Sequence, residues 1–193
     1  MPDTGAPWNL PYVSSSELVA DWPTDNQSQM EAIADALPRG IGPNIVQTVE
    51  TGTFSTSSSS YVDVLTASIT PTTNTAKILV MAMVPVSYSD SNTVRSGKVS
   101  LFRGAVNLSS PDTPGSRTVA MGGINVYTID SAVTTVTPVF LDSPASSSSV
   151  TYSAAVTMGG SSGTMYVNRG VDDTDTASRL RTVTTLTLIE VAA

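Results

Sequence analysis

The chain has 193 residues with neither cysteine nor histidine, and its nine lysines and arginines face sixteen aspartates and glutamates. Disulfides, soft metal sites and Cys/His nucleophile systems are therefore excluded. Charged residues make up only 13% and form no basic stripe, so we expect no nucleic-acid partner. The length is sufficient for a body of about 150 residues with its own core and a short appendage.

The first residues, Met1–Ser16, contain three prolines and are predicted to be extended. No basic segment followed by an apolar stretch is present, so we expect no secretory signal. Trp8, Leu10 and Tyr12 have no obvious local partner, and they are candidate docking residues together with Trp22. Two interpretations remain open: this arm docks on another protein, or it folds over its own domain.

One short helix is predicted at Asp25–Leu37, which ends before Pro38. Met30, Ile33 and Leu37 recur at helical spacing and form an apolar stripe. Three turns are marginal in isolation, so the stripe must pack on something. Packing against a partner copy would make these three residues an oligomer interface, and packing against the chain's own β-body remains the alternative.

Arg39–Pro43 is a natural boundary because it combines glycines with a proline. We predict an arm and helix at 1–43 and a β-domain at 44–193. Beyond the boundary, short segments rich in Val, Ile, Thr and Tyr alternate with Ser, Gly, Pro and Asp clusters, which is typical of an antiparallel β-sandwich, with a jelly roll as the preferred arrangement. The predicted strands are Asn44–Glu50, Tyr61–Thr70, Ala76–Val86, Lys98–Arg103, Thr118–Tyr127, Thr135–Leu141, Ser149–Met158, Thr164–Asn168 and Arg181–Val191.

The most apolar run, Lys77–Val86, is predicted to be the central strand. It is too short to cross a bilayer, which takes about 20 residues, and we expect no membrane insertion. Both of its faces are apolar, so one can face a core while the other needs a second layer, a loop or a neighbouring subunit. Met81 and Met83 on the second face are therefore candidate oligomer-interface residues.

A search for catalytic groups gives weak signals. Four carboxylates lie in or at the ends of predicted strands, and paired carboxylates could catalyse glycoside hydrolysis, but solvated strand ends are the favoured interpretation. The serine clusters have no histidine base and no nucleophile elbow. We predict no cofactor. The four carboxylates are Glu50, Asp63, Asp142 and Glu190.

Asp172, Asp173 and Asp175 form the densest acidic cluster. Oxygen-rich loops of this kind bind calcium, although the spacing does not match the twelve-residue calcium loop. A solvated turn is the favoured interpretation, and calcium binding stays open. The arginines of the body are expected to pair with carboxylates or loop carbonyls.

Several phrases, in their order along the chain, resemble a β-domain of structural proteins from tailed bacteriophages. The resemblance spans about Asn44 to Val191, and its specificity comes from the ordered set. The phrases are Val46-Gln47-Thr48, Tyr61-Val62-Asp63-Val64, Lys77-Ile78-Leu79-Val80, Phe140-Leu141-Asp142-Ser143-Pro144, Val150-Thr151-Tyr152-Ser153, Tyr166-Val167-Asn168-Arg169, Asp173-Thr174-Asp175 and Thr185-Leu186-Thr187-Leu188-Ile189-Glu190-Val191.

The arm phrase Pro7-Trp8-Asn9-Leu10-Pro11-Tyr12 and the helix end Ala34-Asp35-Ala36-Leu37 are similar to the start of phage tail-fibre and head-fibre proteins. The resemblance implies a non-enzymatic virion appendage, usually trimeric, whose N-terminus joins the tail or capsid. It also implies a projecting β-domain that meets a host glycan or protein. Glycan contact would use loop hydrogen bonds and aromatics such as Tyr88. Capsid decoration is the alternative, and a polysaccharide depolymerase is less favoured because no long β-helix repeat is present.

Overall fold

The computed structural model describes residues 44–89, 97–109, 112, 115–124, 132–159 and 163–191. All of them belong to one compact unit, Arg39–Ala193. The predicted arm and helix, with Trp8, Leu10, Tyr12, Trp22, Met30, Ile33 and Leu37, lie outside the described residues, and the domain boundary at 43/44 stays a prediction.

The described residues form twelve β-strands, and every pairing between them is antiparallel. The predicted all-β antiparallel sandwich is therefore confirmed. The strands are β1 (Ile45–Glu50), β2 (Phe54–Thr56), β3 (Val62–Ile69), β4 (Lys77–Ser89), β5 (Gly97–Arg103), β6 (Val106–Asn107), β7 (Gly122–Ile124), β8 (Thr134–Val136), β9 (Val139–Asp142), β10 (Val150–Thr157), β11 (Thr164–Val167) and β12 (Thr184–Val191).

The first sheet is built around β4, which is the predicted central strand and has 13 residues. Its first half pairs with β12 and with β9, and since both partners pair with the same β4 residues, they lie on opposite sides of it. Its second half pairs with β11 and β8. β1 adds to β12 and β2 adds to β11. The order β1-β12-β4-β9 therefore forms a four-strand section of this sheet.

The second sheet has the order β3-β10-β5, with β6 and β7 both paired to β5. Strands near one another in sequence frequently lie in different sheets: β1, β4, β9 and β12 belong to the first, and β3, β5 and β10 to the second. This alternation is compatible with the interlocked Greek keys of a jelly roll. The jelly-roll assignment itself stays a prediction.

The core lies between the two sheets. Alternate residues of β4 point into it, and they meet inward-facing residues of β5 and β10. Burying a side chain of the size of Val or Leu contributes about 1.5–3 kcal/mol, so this interface is the main source of stability. Fully buried members include Ile78, Val80, Val84, Val99, Leu101, Tyr152, Val156, Leu186 and Leu188.

The strands differ from the predicted ones in four places. The predicted strand Thr118–Tyr127 begins only at Gly122, as β7, and its residues 125–127 lie outside the described ones. The segment predicted as one strand at Thr135–Leu141 forms β8 and β9, which keep one register against β4 but separate around Pro138, where the ladder lacks an N–H donor. β2 lies between the predicted strands Asn44–Glu50 and Tyr61–Thr70, where no strand was predicted, and Phe54 packs it against the core. β6 is a two-residue strand that sequence pattern did not indicate.

Candidate subunit interface on the first sheet

The four-strand section β1-β12-β4-β9 has an outward-facing side, called here the outer face. Because side chains alternate along a strand, its members follow from the register. They are Ile45, Gln47 and Val49 on β1; Thr185, Thr187, Ile189 and Val191 on β12; Lys77, Leu79, Met81 and Met83 on β4; and Val139 and Leu141 on β9.

The outer face is organised in rows across the strands. One row joins Ile45, Ile189, Leu79 and Leu141, which are aligned in the register of successive strand pairs. This row is apolar across all four strands. The register therefore concentrates apolar surface that the sequence scatters over nearly 150 positions, since Ile45 and Ile189 are 144 residues apart.

Much of this apolar surface is open to solvent in the described residues. Ile45 is 60% exposed and Val139 57%. Leu141 is 48% exposed, and Met81 and Met83 are 38% and 37% exposed. Single exposed apolar residues are ordinary, but a contiguous apolar patch is typical of a protein interaction site.

The polar groups of the outer face are few. Lys77 is its only charged residue, and it lies at the first position of β4. The amide of Gln47 donates a 2.8 Å hydrogen bond to the hydroxyl of Thr187 within the same face. Covering the outer face would consequently desolvate little charge, because Lys77 can reach solvent from the end of the strand.

The free edge of β9 borders the outer face. The N–H of Ala82 donates to the carbonyl of Pro138 at 3.0 Å, so Ala82 and Pro138 are a hydrogen-bonded pair at the point where the chain enters β9 beside β4. Hydrogen-bonded and non-hydrogen-bonded pairs alternate along an antiparallel ladder, so the N–H and C=O groups of Val139 and Leu141 point away from β4. Among the strands that the structure describes, none pairs with this edge.

The outward side of the second sheet is different because the chain itself covers part of it and the exposed residues there are polar, namely Asp63, Thr66, Ser68 and Thr151. The hydroxyl of Tyr61 donates to the carbonyl of Val119 at 2.6 Å, and the hydroxyl of Ser100 donates to the side-chain oxygen of Asn107 at 2.6 Å. Burial raises the pKa of Tyr61 to about 12, although a hydrogen bond with Ser100 works in the opposite direction. Ser100 and Ala155 are fully buried on this side. The two outward sides thus differ in character: that of the first sheet is apolar and exposed, whereas that of the second is partly covered and otherwise polar.

The four strand-end carboxylates do not converge into an acid/base pair. Asp63 accepts a hydrogen bond from Ser153 at 2.7 Å, and Glu50 accepts one from the N–H of Gly52 at 2.6 Å. Each of the four has its own partners among the described residues. The favoured interpretation of separate strand-end groups agrees with this geometry, but two of the four, Asp142 and Glu190, are buried rather than solvated.

Asp142 links the two sheets. Its carboxylate accepts two hydrogen bonds from Nη1 of Arg103, at 3.0 and 2.8 Å, and one from the hydroxyl of Tyr152 at 2.8 Å. Asp142 lies on β9, whereas Arg103 and Tyr152 lie on β5 and β10. Burial raises the pKa of Tyr152, as do the hydrogen bond and the charge of Asp142. The arrangement is a satisfied structural ion pair that fixes the β9 edge to the second sheet.

Glu190 lies on β12 and is fully buried beside Asn44, the first described residue. It accepts hydrogen bonds from the N–H of Thr72 at 2.9 Å, from the hydroxyl of Thr72, and from the amide of Asn44 at 2.8 Å. Burial raises its pKa, but these hydrogen bonds outweigh that effect and hold the pKa below the ordinary value. The charged carboxylate thereby ties the first described residue to β12.

The acidic loop is held by arginines, as predicted for the arginines of the body. Asp173 forms ion pairs with Arg169 at 3.1 Å and with Arg181 at 2.8 Å, and Asp172 pairs with Arg179. Hydrogen bonds from the hydroxyl and N–H of Thr174, together with Arg179, lower the pKa of Asp172 to about 2. These contacts occupy the carboxylates with cations of the chain itself.

Asn168 closes the base of that loop. Its amide donates to the carbonyls of Glu50 and Gly52 at 2.9 and 2.8 Å, and its side-chain oxygen accepts from the hydroxyl of Thr184 at 2.9 Å. Its φ of 63° is in the left-handed region, which asparagine tolerates better than most residues. Within the described ranges, no three acidic side chains are grouped so that they could hold a metal ion.

The structure places two of the predicted interface residues, Met81 and Met83, side by side on the outer face. The predicted interface residues do not include Ile45, Val139 or Leu141, which are more exposed than either methionine. Period-two alternation in their strands was the available signal, but the register that aligns them with β4 is a tertiary feature. The prediction that Tyr88 could contact glycans is wrong, since Tyr88 is only 6% exposed and belongs to the core.

Comparisons with known proteins found similarity among solved structures. No protein family matches the chain, and no curated protein does. Nine chains among the solved structures match. One of them is VP2 of infectious bursal disease virus in its subviral particle, with 11% identity, a TM-score of 0.33, and coverage of 80% of this chain and 39% of that one. The chain therefore spans well under half of that VP2 chain.

The described ranges contain no helical segment with the length and hydropathy that a membrane crossing requires.

Proposed function

We propose that this chain is a non-enzymatic structural protein of a tailed-phage virion, namely a trimeric fibre or appendage subunit. In this proposal the N-terminal arm, through Trp8, Leu10, Tyr12 and Trp22, docks to the tail or capsid. The β-domain projects from the particle and meets the host surface.

The observation that carries the proposal is the exposed apolar outer face. A sheet that is apolar on both sides needs a second covering layer, and assembly of copies supplies one without any additional sequence. The ordered phrases that resemble phage structural proteins run through the same strands, including Lys77-Ile78-Leu79-Val80 on β4 and Phe140-Leu141-Asp142 on β9. Assembly and virion membership are thus supported by separate features.

Locating the chain on phage particles tests the proposal. Antibodies raised against the purified protein and bound to gold should label intact virions in electron micrographs, at the tail or at a fibre. Uniform labelling of the head would favour capsid decoration. Particles that carry no label, in a lysate where the free protein is detected, would contradict a structural role.

Deleting Met1–Gly40 tests the docking role of the arm. We expect the truncated protein to keep its β-sheet circular dichroism spectrum. It should not be incorporated into particles that assemble while it is present. A second variant replaces Trp8 and Tyr12 with alanine in the full chain, which removes the aromatic side chains and leaves the length of the arm unchanged. Normal incorporation of both variants would show that the arm is not the attachment point.

A host-capsule assay tests the absence of catalysis. The purified protein spotted on a capsulated host lawn should leave the capsule intact. A translucent halo from the wild-type protein, lost when Asp63 or Glu50 is replaced by the amide, would identify a depolymerase and refute the proposal.

A further inference from the structure

We infer that three copies of this chain pack their outer faces around a threefold axis that runs along the strands, with β9 of each copy beside β1 of the next. The inference rests on the trimeric appendage proposed above. It adds the arrangement of the subunits and the residues that meet.

The two outward sides of the sandwich differ in polarity and exposure. The outward side of the second sheet is partly covered, as where Tyr61 contacts Val119, and its exposed residues are polar. The outer face instead carries Ile45, Val139 and Leu141, each about half exposed or more. The outer face is also almost free of charge. A second copy of the same face is an apolar partner that matches it in size and chemistry.

The outer face has a width that suits a threefold arrangement. Neighbouring strands lie about 4.8 Å apart, so four strands make a face roughly 19 Å wide. The axes of β1 and β9 then lie about 14 Å apart, and about 5 Å more is needed between β9 of one copy and β1 of the next. A triangle that meets both distances places each face about 7 Å from the axis, which is about 2 Å more than half the separation of two packed sheets, and long side chains such as methionine can fill that space.

The two borders of the outer face also suit a ring of three copies. β1 and β9 are its outermost strands, and in a ring of three each β9 meets the β1 of a neighbour. The free N–H and C=O groups of Val139 and Leu141 point towards that neighbour. A face-to-face dimer would bury the same apolar surface but leave the β9 edges in solvent, where open edges favour unwanted strand pairing.

The register defines which residues meet at the corners. Ile45 and Leu141 end the same row, so Ile45 of one copy lies beside Leu141 of the next. Gln47 and Val139 end the following row. Met81 and Met83, on an inner strand, face the axis, where an unbranched side chain can adapt to the space left by three converging faces.

Molar mass is the first measurement. Light scattering on the purified full chain at micromolar concentration should give three times the chain mass of 20.0 kDa. Replacing both Met81 and Met83 with lysine should lower the mass to that of one chain, because three copies would bring six cations to the axis. Replacing Val106 with lysine is the matched control, since Val106 is 53% exposed but lies on the second sheet, and it should leave the trimer intact.

Cysteine cross-linking is the second measurement, and the chain offers a background without native cysteine. The double variant Ile45→Cys/Leu141→Cys should form a covalent trimer on mild oxidation, seen on a non-reducing gel. Neither single variant should do so, because equivalent positions lie apart in a head-to-tail ring. The pair Gln47→Cys/Val139→Cys, one row along, repeats the test, and Val106→Cys/Leu141→Cys is the control that should not cross-link.

A monomer mass would overturn the inference and point to residues 1–43 as the cover of the outer face. A dimer mass, or cross-linking by a single cysteine variant, would establish a twofold contact instead. A trimer that neither corner pair cross-links would refute the arrangement. These results use purified protein, so they are independent of whether gold-labelled antibodies find the chain on virions.

Discussion

Replacing Asp142 with alanine would break the ion pair that joins β9 to the second sheet. The carboxylate is only 6% exposed, and its loss leaves the fully buried hydroxyl of Tyr152 without an acceptor. An unsatisfied buried hydroxyl costs about 1–3 kcal/mol. The lost hydrogen bonds to the charged Arg103 add about 1.5–3 kcal/mol, towards the lower end because the arginine side chain is 31% exposed and can turn to water.

We therefore expect Asp142→Ala to lower the free energy of unfolding by about 3–4 kcal/mol. For a body of this size, that corresponds to a fall in Tm of about 10 °C. Urea unfolding at one fixed protein concentration is the suitable assay, because the stability of an oligomer depends on concentration. Tyr152→Phe removes only the hydroxyl and should cost about 1.5–3 kcal/mol, since Phe keeps the buried ring.

The matched control is Asp175→Ala, which removes an exposed carboxylate and should change stability by less than about 0.5 kcal/mol. The ion pair would not stabilise the fold if Asp142→Ala changed the midpoint of urea unfolding no more than this control did and left the dependence of the unfolding free energy on urea concentration unchanged.

Three further outcomes follow from the same structure. Hydrogen bonds hold the pKa of Glu190 below the ordinary value of 4.5, so the stability of the wild-type protein should fall as the pH drops through and below 4.5. Glu190→Gln should weaken this pH dependence, as measured by the midpoints of urea unfolding. An identical pH profile for the two proteins would contradict the prediction. Asn168→Ala should cost about 2–3 kcal/mol through two unpaired carbonyls and a left-handed backbone, and Asn168→Gly should cost less than Ala if the backbone contributes. Leu101→Ala, at a fully buried position, should lower the unfolding free energy by about 2–5 kcal/mol, and a change below 1 kcal/mol would mean that the core collapses around the gap.

The order of strands along the chain could largely be predicted from composition and alternation. Lys77–Val86 was predicted as the central strand because both of its faces are apolar, and β4 does pair with four other strands. The boundaries of β1, β3, β10 and β12 lie within a few residues of the predicted ones. Short strands such as β2 and β6 were missed, because two or three residues carry no period and exist only through their pairing partners.

The sequence by itself determined that this protein is an antiparallel β-sandwich with a doubly apolar central strand, since period-two patterning and turn residues are local properties of the chain. Only the tertiary structure decided that Ile45, Ile189, Leu79 and Leu141 form one row, and that Asp142 and Glu190 are buried. Register between distant strands arises from the packing of the whole core, and a shift of one residue would turn the outer face inwards.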